Sequence, residues 1–208
     1  MRGIAVFLLP IVLLAACAAP PDTAVKVSPS AGIETGQSES MQASMLESSA
    51  RPLLEAEILS AYERALRAYG WFDLSPLPAS EDTAIWGGVL YHRVDMDGIE
   101  SLEDLRTYLR SVFSQELTDR LLDGGTARIQ YRDIDGVLYF SGTGRDQDAS
   151  VGAIQIETEQ VDETVYYVNV LVDLLAGDQA TVLGQESWSF PYTYEGDRWV
   201  FTDFSLFY

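Results

Sequence analysis

Every tyrosine, every tryptophan and seven of the eight phenylalanines of this 208-residue chain lie beyond position 50. Aromatic side chains bury the largest apolar areas, so a core can be assembled only from that later part. Residues 51–208 have the length of one domain. The preceding stretch, residues 18–50, is rich in Ala, Ser, Pro, Thr and Gln and holds no aromatic side chain. It buries too little apolar surface to offset its own ordering entropy, and reads as a flexible tether.

The N-terminus adds a different signal. Arg2 gives a positive start, and residues 4–14 form an apolar run interrupted only by Pro10. Such a run spans about 17 Å as a helix, short of the roughly 30 Å hydrocarbon core, so it reads as a removed export signal. It ends in Leu14-Ala15-Ala16-Cys17, which resembles the bacterial lipobox. That resemblance implies cleavage before Cys17 and a diacylglycerol on its sulfur. Cys17 is the only cysteine, and a lone thiol in an oxidising compartment is best explained by a modification that consumes it. Several acyl chains anchor stably where one is marginal. The competing reading, an ordinary export signal with a chance cysteine, leaves the thiol unexplained. The expected organisation is a lipoprotein signal peptide at 1–16, a lipidated Cys17 with its tether at 17–50, and a folded domain at 51–208. The expected location is extracytoplasmic, lipid-anchored to the cell membrane.

The domain is strongly acidic. Residues 51–208 hold 28 Asp and Glu against 11 Arg and no Lys, a net charge of −17. Such a field repels nucleic acid and anionic polymers and attracts a basic protein or a divalent cation. Solubility alone is the plainer account of the same charge.

Periodicity outlines an α+β fold. Residues 52–71 read as a helix with Pro52 in its first turn and Leu54, Ile58, Ala61, Tyr62, Ala65 and Tyr69 on one face. A loop with Pro76 and Pro78 precedes a strand at 88–94. Ser101 with Asp104 resembles a capping box opening a second helix, whose buried face is Leu102, Leu105, Leu109 and Val112. Ser114 caps a third, short helix stopped at Gly124-Gly125. Asp135-Gly136 is a tight-hairpin signal between strands at 128–133 and 137–141. Long strands follow at 150–161, 164–175, 180–194 and 198–207. N-terminal helices packed on one curved antiparallel sheet, cystatin- or NTF2-like in appearance, are expected.

Few residues invite chemistry. His92 is the only histidine, so metal sites of His and Cys type are excluded and Ser-based catalysis would depend on it. No Gly-x-Ser-x-Gly elbow is present. Carboxylates are plentiful, but no pair is marked by its setting. No catalytic residue and no cofactor is assigned, and the chain is not expected to be an enzyme. Asp95-Met96-Asp97-Gly98 and Asp133-Ile134-Asp135-Gly136 share an Asp-x-Asp-Gly pattern. Neither supplies the remaining ligands of a calcium loop, and turn chemistry accounts for both. The stretch 142–149, with Asp146 and Asp148, is a polar loop of the kind that carries binding functions on a rigid scaffold. Asp95, Asp97, Asp146 and Asp148 are therefore the candidate partner-binding residues. The closing aromatics Tyr192, Tyr194, Trp199, Phe201, Phe204, Phe207 and Tyr208 read as core and cross-strand pairs, although a cone-shaped sheet would place some at a cavity.

The order of these features resembles the IseA-type inhibitors of cell-wall DL-endopeptidases. A long helix ends near Gly70, and a strand contains Tyr91-His92-Arg93-Val94. A capped helix with Leu105, Tyr108 and Leu109 is followed by Phe113-Ser114 and a third helix. Then come Asp135-Gly136-Val137-Leu138-Tyr139, a Gly-containing loop, long strands, and Gly196-Asp197-Arg198-Trp199-Val200-Phe201. The likeness runs from about Leu54 to Phe207. It implies an extracytoplasmic protein that blocks peptidoglycan hydrolases of the NlpC/P60 type, with no catalytic residues of its own. The Bacillus-type inhibitors are secreted free, whereas a lipid anchor is expected here. Two further readings stay open: a small-molecule-binding lipoprotein with an NTF2-like pocket in the curved sheet, and an assembly lipoprotein without a ligand.

Overall fold

A computed structural model describes residues 50–124 and 127–207. The expected signal peptide, Cys17 and nearly all of the tether lie outside the described residues, as does Tyr208.

Helix α1 (Glu55–Gly70) forms because apolar side chains recur every three or four residues, and Ile58, Ala61, Tyr62, Ala65 and Ala68 are all buried. It begins after Pro52, later than expected. The preceding residues are extended, with the Leu53 N–H donating to the Tyr166 hydroxyl at 3.1 Å. Leu54 sits at the N-cap, 70% exposed, off the apolar face on which periodicity put it. Glu57 accepts its N–H at 2.9 Å. The Arg51 guanidinium bonded to Glu57, with that cap, pulls the carboxyl down to about 2.

Two helices follow a strand pair. In α2 (Leu102–Arg110), Ser101 and Asp104 close the expected reciprocal cap, with Asp104 accepting the Ser101 N–H at 2.9 Å. Leu105, Leu109 and Val112 turn inward, while Leu102 is only partly buried. Helix α3 (Gln115–Leu122) is capped by Ser114, whose Oγ accepts the Leu117 N–H.

The strands form two antiparallel sheets of four, not one curved sheet. The first comprises β1 (Ala79–Trp86), β2 (Val89–Val94), β3 (Gln130–Ile134) and β4 (Val137–Ser141), in the order β1-β2-β4-β3. The second is a meander of β5 (Val151–Gln160), β6 (Val165–Leu175), β7 (Val182–Glu195) and β8 (Arg198–Phe201). Strand β1 was expected as loop. Its first half, Ala-Ser-Glu-Asp, has little β preference, and it is an edge strand held by pairing with β2 alone.

The last strand is shorter than the sequence suggests. It ends at Phe201, and the Thr202 N–H turns back to the Pro191 carbonyl at 3.1 Å. That turn drives Phe204 into the core, with its ring 4.6 Å from Phe190, 5.3 Å from Phe201 and 5.8 Å from Tyr62. Tyr192 and Phe201 are 4.6 Å apart in the same cluster. Tyr192, Phe201 and Phe204 are therefore packed against one another, while Phe207 stands apart with its ring 5.3 Å from Trp188.

A single buried cluster draws on all three helices and both sheets, including Tyr62, Leu105, Leu117, Leu138, Val168 and Phe201. The corner between α2 and α3 is bonded to the second sheet's edge. Phe201 donates its N–H to the Val112 carbonyl at 3.0 Å, and its own carbonyl accepts the Ser114 N–H at 2.9 Å.

Tyr131 ties the first sheet to the segment leaving α1. Its buried hydroxyl accepts the Leu77 N–H at 2.9 Å and donates to the Trp71 carbonyl at 3.0 Å. Burial raises the phenol above its ordinary range. Tyr131→Phe leaves a buried N–H without its acceptor, which typically costs about 1–3 kcal/mol. Urea denaturation should read that loss, and an unchanged midpoint would show that the segment relaxes to find another partner.

Candidate interaction surfaces

The loop between β4 and β5 is firmly placed. Arg145 donates from Nε to the Asp73 carboxylate at 2.7 Å and from its backbone N–H to the Asp73 carbonyl at 3.0 Å. Arg128 approaches the same carboxylate at 3.3 Å. Gly144 passes so close to the turn after α1 that an added Cβ would lie 1.6 Å from the Leu74 carbonyl oxygen. Only glycine permits that approach. Asp148 accepts the Ser150 N–H at 2.9 Å, which lowers its pKa and fixes the entry to β5. Asp146 remains exposed.

Asp95 and Asp97 sit elsewhere, on the turn from β2 towards α2. They line a hollow of about 210 Å³ with Arg93, Glu100 and Gly136. The Ile99 N–H bonds to the Met96 carbonyl at 3.1 Å, and Gly98 takes a φ of 79°, so this is a tight turn. Its sequence counterpart is also a turn, with Asp133 accepting the Gly136 N–H at 2.8 Å. Three of the four predicted acids thus fall at two separate hollows, because Asp148 lines another of about 380 Å³ with Tyr62, Val151, Ile154 and Phe207, while Asp146 lines neither. Among the described residues no three of His, Cys, Asp and Glu converge as a metal site. His92 is partly buried, its ring 5.6 Å from Phe140, and belongs to the packing of the first sheet.

A third hollow, of about 480 Å³, lies at the end of α1 between Glu63, Leu66, Arg67, Trp71, Leu74 and Pro76. Leu66 also lines the hollow beside Asp148, so its side chain stands between the two.

The β1–β2 hairpin was missed by sequence reasoning. Its tip exposes Ile85 (77%), Trp86 (50%), Val89 (48%) and Leu90 (51%). Trp86 pairs with Val89 across a two-residue Gly87-Gly88 turn, with φ values of 58° and 81°. Two glycines between apolar runs are themselves a hairpin signal, masked here by the acidic first half of β1.

Charge is distributed unevenly. Seven of the eleven arginines after position 50 pair with carboxylates, and Arg106, Arg110 and Asp119 form one connected group. The remaining acids face outward without such partners, so the surplus negative charge belongs to the surface.

No protein-family model matches the chain, and no curated protein matches it in sequence. Among the described residues no helix is long and apolar enough to cross a membrane.

Proposed function

We propose that this chain is an extracytoplasmic lipoprotein, held to a membrane through Cys17, that binds and inhibits a basic cell-wall DL-endopeptidase of the NlpC/P60 type. The observation that carries the reading is the acidic surface: a domain of net charge −17 whose arginines are mostly spent on internal pairs. Such a surface steers a basic catalytic domain towards it and raises the on-rate in a salt-dependent way. The likeness in element order to IseA-type inhibitors supports the choice of target. The loop bearing Asp146 and Asp148 is held against the body through Arg145 and Asp73, so it needs little further ordering on binding. Membrane attachment through a tether would keep the domain at high local concentration beside its target.

The small-molecule reading is supported by the hollow at the end of α1 and by the one beside Asp148. It would use one of these, since aromatic rings fill the interior between Tyr62, Phe190, Phe201 and Phe204.

The test is turnover of peptidoglycan fragments by a purified NlpC/P60 endopeptidase, with and without the full chain in mild detergent, at low and physiological salt. Inhibition that weakens as salt rises is expected. Absence of inhibition across several such enzymes overturns the proposal. Asp146→Asn with Asp148→Asn keeps the acceptor that Ser150 needs while removing two charges, and should weaken inhibition most at low salt.

A further inference from the structure

We infer that the β1–β2 hairpin is a wedge that enters a narrow, apolar-walled cleft on a protein partner. This rests on the inhibitor reading and specifies which part of the domain enters the target.

The hairpin is apolar on both faces. Ile85 and Leu90 form one cross-strand pair, Trp86 and Val89 the next, and adjacent pairs point to opposite sides. Further along the sheet one face is covered, with Leu138, Phe140 and Val94 in the core. At the tip neither face is covered, and all four side chains are at least 48% exposed. A contiguous apolar patch on a soluble domain marks an interaction site.

The apex decides what occupies the space around it. Gly87 and Gly88 carry no side chains, and a Cβ at either would meet nothing within 4 Å. The tip is therefore thin, projects freely, and leads with bare peptide groups. In hydrocarbon those groups would go unpaired at a cost of several kcal/mol each, which disfavours a lipid surface. A protein cleft can supply hydrogen bonds at its floor and apolar contacts at its walls.

Charge narrows the choice again. Glu81 and the Arg93-paired Asp82 are exposed behind the tip on β1. Arg93 and Arg132 offset these two acids beside the tip. It is therefore the domain's net charge of −17 that opposes approach to an anionic membrane or to a second copy of this domain, and suits a cleft with a basic rim. Trp86 is held in advance by Arg132, whose guanidinium carbon lies 5.5 Å from the ring centre. Tryptophan presented in a fixed pose is a common anchor of protein interfaces.

The experiment compares the full chain in mild detergent with two variants, Ile85→Thr/Leu90→Thr and Trp86→Thr/Val89→Thr, in the endopeptidase assay. Threonine keeps the strand preference and removes the apolar contact. Each variant should raise the concentration needed for half inhibition by at least about tenfold, with melting temperature and near-ultraviolet circular dichroism matching the unaltered protein. Inhibition by both variants equal to that of the unaltered protein overturns the wedge and leaves the inhibitor reading standing. No inhibition by the unaltered protein overturns both. A third outcome also overturns the wedge: an unlipidated Cys17→Ser chain sediments with lipid vesicles, and the hairpin substitutions abolish it.

Discussion

Replacing Phe201 with alanine should lower the free energy of unfolding by about 3–5 kcal/mol. The ring is fully buried and stands at the meeting point of Tyr62, Tyr192 and Phe204, at 6.4, 4.6 and 5.3 Å. Removing it opens a cavity bounded by three other large side chains, each held in place by further rings. Tyr62 also meets Phe190, and Phe204 meets Phe113, so the surroundings cannot collapse without moving α1 or the α2–α3 corner. The backbone of Phe201 bonds to Val112 and Ser114, so the site is pinned from the main chain as well. Paired denaturation curves in urea would measure the loss. Phe201→Leu, which keeps an apolar plug, should cost less than half as much. A loss below about 1.5 kcal/mol for the alanine variant would show that the cluster repacks, contrary to the expectation for a rigid core.

The second large effect belongs to the loop. Gly142 has a φ of 99°, and an added Cβ would lie 2.1 Å from the Arg128 carbonyl oxygen. Gly142→Ala therefore combines a left-handed backbone with a clash against main chain that no rotamer can relieve. Together these cost on the order of 2–5 kcal/mol if the backbone stays in place. The cheaper response is for the loop to move and give up the contacts of Arg145 with Asp73. Trypsin reports that directly, since it cuts after arginine and needs a mobile chain. Cleavage after Arg145 should be slow in the unaltered protein and many times faster in the variant. Equal rates with equal stability would mean that the loop does not depend on the close pass at Gly142. If the loop contributes to inhibition as proposed, the same variant should inhibit less well.

Where a feature depends on neighbours a few residues apart, it was legible. The Ser101 and Ser114 caps stand where expected, because an N-cap is a bond to an N–H three residues on. The Asp135-Gly136 hairpin stands likewise, with φ values of 55° and 82° that only such residues adopt readily. Strand β6 shows its alternation, with Val168, Val170 and Val172 buried. Strand β1 failed the same reading, since its pairing with β2 and not its own composition makes it a strand.

The candidate surfaces were less legible than the fold. Asp146 and Asp148 could be named from a polar loop, but the loop's placement comes from Asp73, 72 positions before Arg145. Asp95 and Asp97 could be named from their pattern, but not their separation from the other two. The exposed hairpin tip was hidden because Ile, Trp, Val and Leu look the same in a sequence whether the sheet covers them or ends before it reaches them.

The sequence alone determined the α+β class, the helix caps, the tight turns and the confinement of the aromatic core to the residues after position 50. All of these follow from short-range geometry or from composition. Only the tertiary structure decided that the strands split into two sheets, that the chain leaves β8 at Phe201 to bury Phe204, and that four apolar side chains stay uncovered at one hairpin. Those outcomes depend on which distant surfaces meet, and hydrophobic burial, being non-directional, leaves no local mark of its partner.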